Sequence, residues 1–144
     1  MEIYLNGGTI TNAFGGGNNT SIDVTDINLQ GSTVTNIYGG SNQSGNISTT
    51  DIDISGGTTG NVYGGNNAGG ITNNSNVLVS GAESNVENVY GGGNQAPTGS
   101  ANVTIKDAKG PQDIYGGGKL GVVNNNTNVI TYSVNSKADL YVKS

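Results

Sequence analysis

Asn36-Ile37-Tyr38-Gly39-Gly40 and Asn61-Val62-Tyr63-Gly64-Gly65 are one five-residue word written twice, 25 residues apart. Ala13-Phe14-Gly15-Gly16, Val89-Tyr90-Gly91-Gly92 and Ile114-Tyr115-Gly116-Gly117 repeat it, so the aromatic recurs at spacings of 24, 25, 27 and 25 residues. A fixed period of this length marks a stacked repeat protein. One unit this short cannot bury an apolar face by itself, so neighbouring units must stack and supply each other's core.

A second register runs between these words. Ile3/Leu5, Ile27/Leu29, Ile52/Ile54, Val77/Val79 and Val103/Ile105 each flank one variable residue, and Val129 begins a sixth pair. Two apolar residues around one variable residue are a period-2 signature, hence a strand with both apolar side chains facing one way. Gly7-Gly8, Gly31, Gly56-Gly57 and Gly81 follow as corners, where glycine tolerates backbone angles that strain other residues. The next strand leads into the aromatic word. After a further glycine corner comes a looser stretch carrying Ile22, Ile47, Ile71 or Val122. Each coil therefore has three short strand segments, and abundant Gly, Asn, Thr and Val oppose helix.

These features predict an all-β fold, a three-sided parallel β-solenoid with about 25 residues per coil and five to six coils. Parallel crossovers are right-handed by default, and that hand is expected. Residues 1–131 read as solenoid repeats and 132–144 as a C-terminal strand or cap, with the opposite end open. Hydrophobic content is only 32%, and Gly accounts for 26 of 144 residues. That composition alone suggests disorder. The apolar residues sit in register, however, and a thin solenoid needs few of them per coil.

Ten Asp and Glu against five Lys, with neither Arg nor His, give a net charge of −5. A nucleic-acid surface needs clustered cations, so no nucleic-acid partner is expected. Long apolar runs and basic amphipathic segments are lacking, so membrane insertion is not expected either. Zero Cys excludes disulfides and thiolate metal sites. Met1-Glu2-Ile3-Tyr4-Leu5 enters a strand pattern at once, without a basic start. The chain is accordingly expected to be a segment of a longer exported protein.

Three sets of residues are candidate sites. Phe14, Tyr38, Tyr63, Tyr90 and Tyr115 should form a stacked stripe, because their neighbours Ala13, Ile37, Val62, Val89 and Ile114 suit the interior. Such a stripe is either structural stacking, an assembly face or a glycan contact. Asn12, Asn36, Asn61 and Asn88, continued by Asp113, and Asn18, Asn42, Asn67 and Asn94, continued by Lys119, should form two ladders that support the corners. Glu2, Asp26, Asp51, Asn76, Asn102 and Asn128 form a column with Asp23 and Asp53 nearby. Oxygen ligands suit calcium, yet these lack the regular aspartates of calcium-binding repeats. A solvated acidic edge, with neither metal nor cofactor, is expected.

Catalysis is not expected, since short loops offer no cleft and nothing selects one carboxylate as an acid or base. No helix follows the Gly-Gly-Gly-Asn words to make them phosphate loops. An ice-binding Thr-x-Thr array stops after Thr9-Ile10-Thr11 and Thr33-Val34-Thr35.

Asp53-Ile54-Ser55-Gly56-Gly57-Thr58 and Asn61-Val62-Tyr63-Gly64-Gly65-Asn66-Asn67 resemble the glycine-rich repeats of large adhesin-like surface proteins of bacteria and archaea. The resemblance spans nearly all of residues 1–131. It implies a non-enzymatic, extracellular or cell-surface stalk or adhesive segment, and it brings no catalytic residues. The leading expectation is a structural rod of a stalk, adhesin or filament that self-associates end-to-end or side-by-side. The alternative is a carbohydrate-binding solenoid or phage tail-fibre segment that meets glycans through the aromatic stripe.

Overall fold

Between its glycines the chain is built from Thr, Val, Ile and Asn, and the first three favour a pleated, half-buried backbone. A computed structural model describes residues 1–132 and the backbone of 139–141, none of it helical. The strands form two parallel six-stranded sheets. The first sheet holds β1 (Glu2–Leu5), β3 (Ile22–Leu29), β5 (Asn46–Ile54), β7 (Ile71–Ser80), β9 (Thr98–Lys106) and β11 (Thr127–Tyr132). The second holds β2 (Thr9–Phe14), β4 (Thr33–Tyr38), β6 (Thr58–Tyr63), β8 (Asn85–Tyr90), β10 (Asp113–Tyr115) and β12 (Asp139–Tyr141). In each sheet the spatial order follows the chain, so every coil lies on the coil before it. The chain is a β-solenoid of about five turns.

Like residues stack over like. Ile27 pairs with Ile3 and Ile52, and Tyr63 with Tyr38 and Tyr90. The apolar pairs of the first sheet and Val34, Ile37, Val62, Val86, Val89 and Ile114 of the second form one continuous core between the sheets. Each aliphatic side chain fully buried there contributes about 1.5–3 kcal/mol relative to exposure.

The third side of the coil is a continuation of the first sheet. In β5, Ile47 faces inward, Ser48 and Thr49 are both partly exposed, and Thr50 is buried again. Pairing with β7 joins Ile47 to Thr72 and Thr49 to Asn74, skipping Ser48. Two successive outward residues bend the strand, so one strand covers two sides of the coil.

That register corrects the expectation for the third stretch. Thr72, Thr98 and Val123, rather than Ile71 and Val122, occupy the buried column beneath Ile47. Val122 is 56% exposed. A slip of one residue exchanges the two faces of a strand. Inward threonines are tolerable because both hydroxyls are hydrogen-bonded: Thr72 Oγ1 donates to Asn66 Oδ1 at 3.2 Å, and Thr98 Oγ1 accepts the Gly93 N–H at 3.1 Å.

Near the C-terminus, β12 pairs with β10 and places Leu140 beside Ile114 and Tyr141 beside Tyr115. The aliphatic-aromatic register thus continues by one more strand. The remainder of the expected C-terminal cap, 133–138 and 142–144, lies outside the described residues.

Candidate functional site

Each strand from β2 to β10 in the second sheet ends on its aromatic residue. A strand spacing of ~4.8 Å matches the separation of parallel rings. Phe14, Tyr38, Tyr63, Tyr90 and Tyr115 accordingly form one stack, with centroids 4.8, 4.9, 5.1 and 4.6 Å apart and planes 7–11° from parallel. Ring faces are spent on one another. Tyr38 is 7% and Tyr63 3% exposed, while Phe14, Tyr90 and Tyr115 are half-buried. A sugar ring stacks on an open aromatic face, and the middle of this stripe offers none.

Burial also shifts the phenols. Desolvation, then repulsion from the neighbouring Tyr38 and Tyr90, pushes Tyr63 up to about 12. Tyr38 is raised by burial alone, and Tyr90 by burial first and then by Tyr115 and Asp113. Tyr38, Tyr63 and Tyr90 are therefore neutral throughout the physiological pH range.

The glycine after each of the first four rings is a close-approach position. A Cβ on Gly39 would overlap the Gly64 carbonyl oxygen, and one on Gly64 would overlap that of Gly91. Those carbonyls also accept from buried hydroxyls of the first sheet. Thr25 Oγ1 donates to the Gly39 carbonyl and Thr50 Oγ1 to the Gly64 carbonyl, each at 2.5 Å, and the Ser75 hydroxyl donates to the Gly91 carbonyl. Across the coil these bonds fasten the first sheet to the aromatic corner. Sequence reasoning missed them, although the signal is a hydroxyl residue two places before Ile27, Ile52 and Val77.

Both expected asparagine columns are hydrogen-bonded rung to rung. Asn36 donates to Asn12, Asn61 to Asn36 and Asn88 to Asn61, each at 3.0 Å. At the next corner Asn42 donates to Asn18 at 3.0 Å, Asn67 to Asn42 at 2.8 Å and Asn94 to Asn67 at 2.8 Å. A third ladder lies on the outer face of the first sheet, where only an acidic column was expected. There Asn76 donates to Asp51 at 2.8 Å, Asn102 to Asn76 at 3.0 Å and Asn128 to Asn102 at 2.9 Å. Its clue was the replacement of Asp by Asn from the fourth strand onward.

Asn66 is a further corner residue that periodicity did not single out, because its counterparts are Ser41 and Gly93. It is fully buried and saturated. Its Nδ2 donates to the carbonyls of Gly45 at 2.8 Å and Gly69 at 3.0 Å, while its Oδ1 accepts the Ser41 N–H at 2.8 Å and the Thr72 hydroxyl.

Asp26, Asp51 and Asp53 line an open groove of about 490 Å³ on the outer face of the first sheet, together with Asn28, Asn76, Leu78 and Thr104 among others. Residues 1–105 carry seven carboxylates and no Lys or Arg. Partial burial raises the Asp26 pKa, with repulsion from Glu2 and Asp51 next, against a lowering hydrogen bond from Asn28. Tyr4, whose hydroxyl donates to Glu2 at 2.5 Å, is raised chiefly by that bond. Among the described residues no three acidic side chains converge in a way that could hold a metal ion. No protein-family model, curated protein or solved structure matches the chain.

Proposed function

We propose that this chain is a non-catalytic structural rod, a segment of an extracellular or cell-surface stalk, adhesin or filament protein. The observation that supports this reading most is where its polar and aromatic groups are spent. Three ladders of side-chain amides and one stack of rings run from coil to coil, and their interior members are each joined to a counterpart above and below. Groups committed in this way stiffen a column and leave little to recognise a small ligand. The described residues that line the acidic groove include no Lys, Arg, His or Cys, so its carboxylates have neither a cation nor an imidazole beside them to pair with in acid-base work. Partners of a rod are other rods, joined end-to-end or side-by-side.

A glycan array, a polysaccharide pull-down and light scattering against concentration test this together. The rod reading expects no saturable glycan binding and scattering that grows with concentration. Binding that is lost in Tyr38→Ala or Tyr63→Ala would overturn it in favour of glycan recognition by the aromatic stripe. A protein that stays monodisperse at every concentration would remove self-association.

A further inference from the structure

Asn6-Gly7 is the single Asn-Gly step in the chain. It lies in the corner between β1 and β2, where Asn6, Gly7 and Gly8 are all exposed and Gly8 has φ 79°. The equivalent corners read Gln30-Gly31, Ser55-Gly56 and Ser80-Gly81. An asparagine followed by glycine is the dipeptide best placed for intramolecular attack, because no side chain shields the following nitrogen. Here that nitrogen has one visible restraint. Ser32, fully buried in the coil above, accepts the Gly7 N–H at 2.9 Å and donates its hydroxyl to the Gly7 carbonyl at 2.9 Å.

We propose that Asn6 is a self-modification site whose rate is held down by Ser32. The Gly7 nitrogen attacks Cγ of Asn6 and a new N–C bond closes a succinimide. The Cγ–Nδ2 bond breaks, and the amide leaves as ammonia carrying the Gly7 proton. Water then opens either imide bond, giving aspartate or isoaspartate at position 6. No oxidant or cofactor takes part. Ser32 opposes the first step, since the attacking nitrogen must release its N–H from the serine oxygen and rotate toward Cγ.

The product alters the first coil. Isoaspartate routes the main chain through the side chain and lengthens it by one methylene. That extra length falls between the Leu5 carbonyl, which accepts from Gln30 and Gly31 at 2.9 and 3.2 Å, and the Gly8 carbonyl, which accepts from Thr33 at 2.9 Å. These bonds seat the first corner on the second coil. Either product also adds a carboxylate to the acidic end that holds Glu2, Asp23 and Asp26. This inference stands independently of the rod reading.

The test is prolonged incubation of the folded chain near neutral pH, with peptide mapping by mass spectrometry and enzymatic methylation of isoaspartate. Modification is expected at Asn6 ahead of every other asparagine, and slower in the folded chain than in the same chain in urea. Ser32→Ala should speed it by about fivefold, the factor expected from losing one hydrogen bond of ordinary net strength. Gly7→Ala should suppress it in both the wild-type and Ser32→Ala backgrounds, and it should fold, because a Cβ there meets no atom within 4 Å. Modification spread over many asparagines, an unchanged rate in Ser32→Ala, or an unslowed Gly7→Ala would each overturn the proposal.

Discussion

Asn61 Nδ2 donates to Asn36 Oδ1 at 3.0 Å while Asn61 Oδ1 accepts from Asn88 Nδ2 at 3.0 Å, so one half-buried amide joins three coils. Asn61→Ala strips a partner from each neighbour. An unsatisfied buried polar group costs about 1–3 kcal/mol, and a loss of that size is expected in urea unfolding. Asn12→Ala, at the exposed end of the same ladder, should cost no more than about 0.5 kcal/mol. Equal costs at the two positions would show that the ladder is not a coupled column.

Gly64 packs so closely on the next coil that a methyl group would overlap the Gly91 carbonyl oxygen. Backbone, unlike the end of a flexible side chain, cannot move aside without separating two coils. Gly64→Ala should cost about 3 kcal/mol or more, read as a lowered midpoint in urea. A stability within about 0.5 kcal/mol of wild type would mean that the coils are not in this contact.

Thr59 occupies a core column between Val34 and Val86. It is 1% exposed, and its Oγ1 is a buried polar atom without a hydrogen-bond partner. Thr59→Val keeps the shape and removes the desolvated hydroxyl, so it should stabilise the protein by about 1 kcal/mol. Thermal and urea midpoints that fall instead would place a hydrogen-bond partner at that oxygen.

At alkaline pH the tyrosine stack should weaken the fold. The folded Tyr63 titrates at about 12 against an ordinary 10.0, so the folded state holds its proton more tightly than the unfolded chain. The contribution of Tyr63 is then constant below about pH 10 and is lost as pH rises toward 12, with Tyr38 and Tyr90 adding in the same direction. Tyr63→Phe should flatten this fall. An alkaline fall in stability that is as steep in Tyr63→Phe as in wild type would contradict it.

The acidic face should respond in the opposite region. The Asp26 pKa is raised by burial and by Glu2 and Asp51, so its proton binds more tightly in the folded state. Its contribution is most favourable below the unfolded carboxylate range and is lost as pH rises through the folded pKa. Asp26→Asn is therefore expected to stabilise at pH 7 relative to wild type and to lose that advantage at pH 3. Destabilisation at pH 7 would indicate that a cation normally neutralises the column.

What the sequence made legible follows from what repetition encodes. Ile27 over Ile3, Tyr63 over Tyr38 and Asn61 over Asn36 could be read from spacing, since identical residues at a fixed period must stack once the coils do. The third side was misread by one residue at Ile71 and Val122 because polar Thr72 and Thr98 fill inward places there. Hydrophobicity cannot mark a buried position whose occupant is satisfied by a hydrogen bond. Asn66 was hidden for a related reason: Ser41 and Gly93 solve the same corner differently, so no period announces it. The aromatic word was legible as a stack. Its depth was not, because burial of Tyr63 arises from the glycine corner and from rings supplied by other coils.

The central claim is that each coil lies directly on the last, with positions about 25 residues apart facing one another. A chain without native cysteine allows a clean test. Thr33 and Thr58 are exposed register partners, with Thr9 one strand further along. Cα atoms about 4.8 Å apart suit a disulfide, whereas those two strands apart at about 9.6 Å do not. Under mild oxidation of the folded protein, Thr33→Cys/Thr58→Cys should close an intramolecular disulfide nearly completely, and Thr9→Cys/Thr58→Cys should not. Failure of the first pair to close, or equal closure of both, would contradict the stacked column.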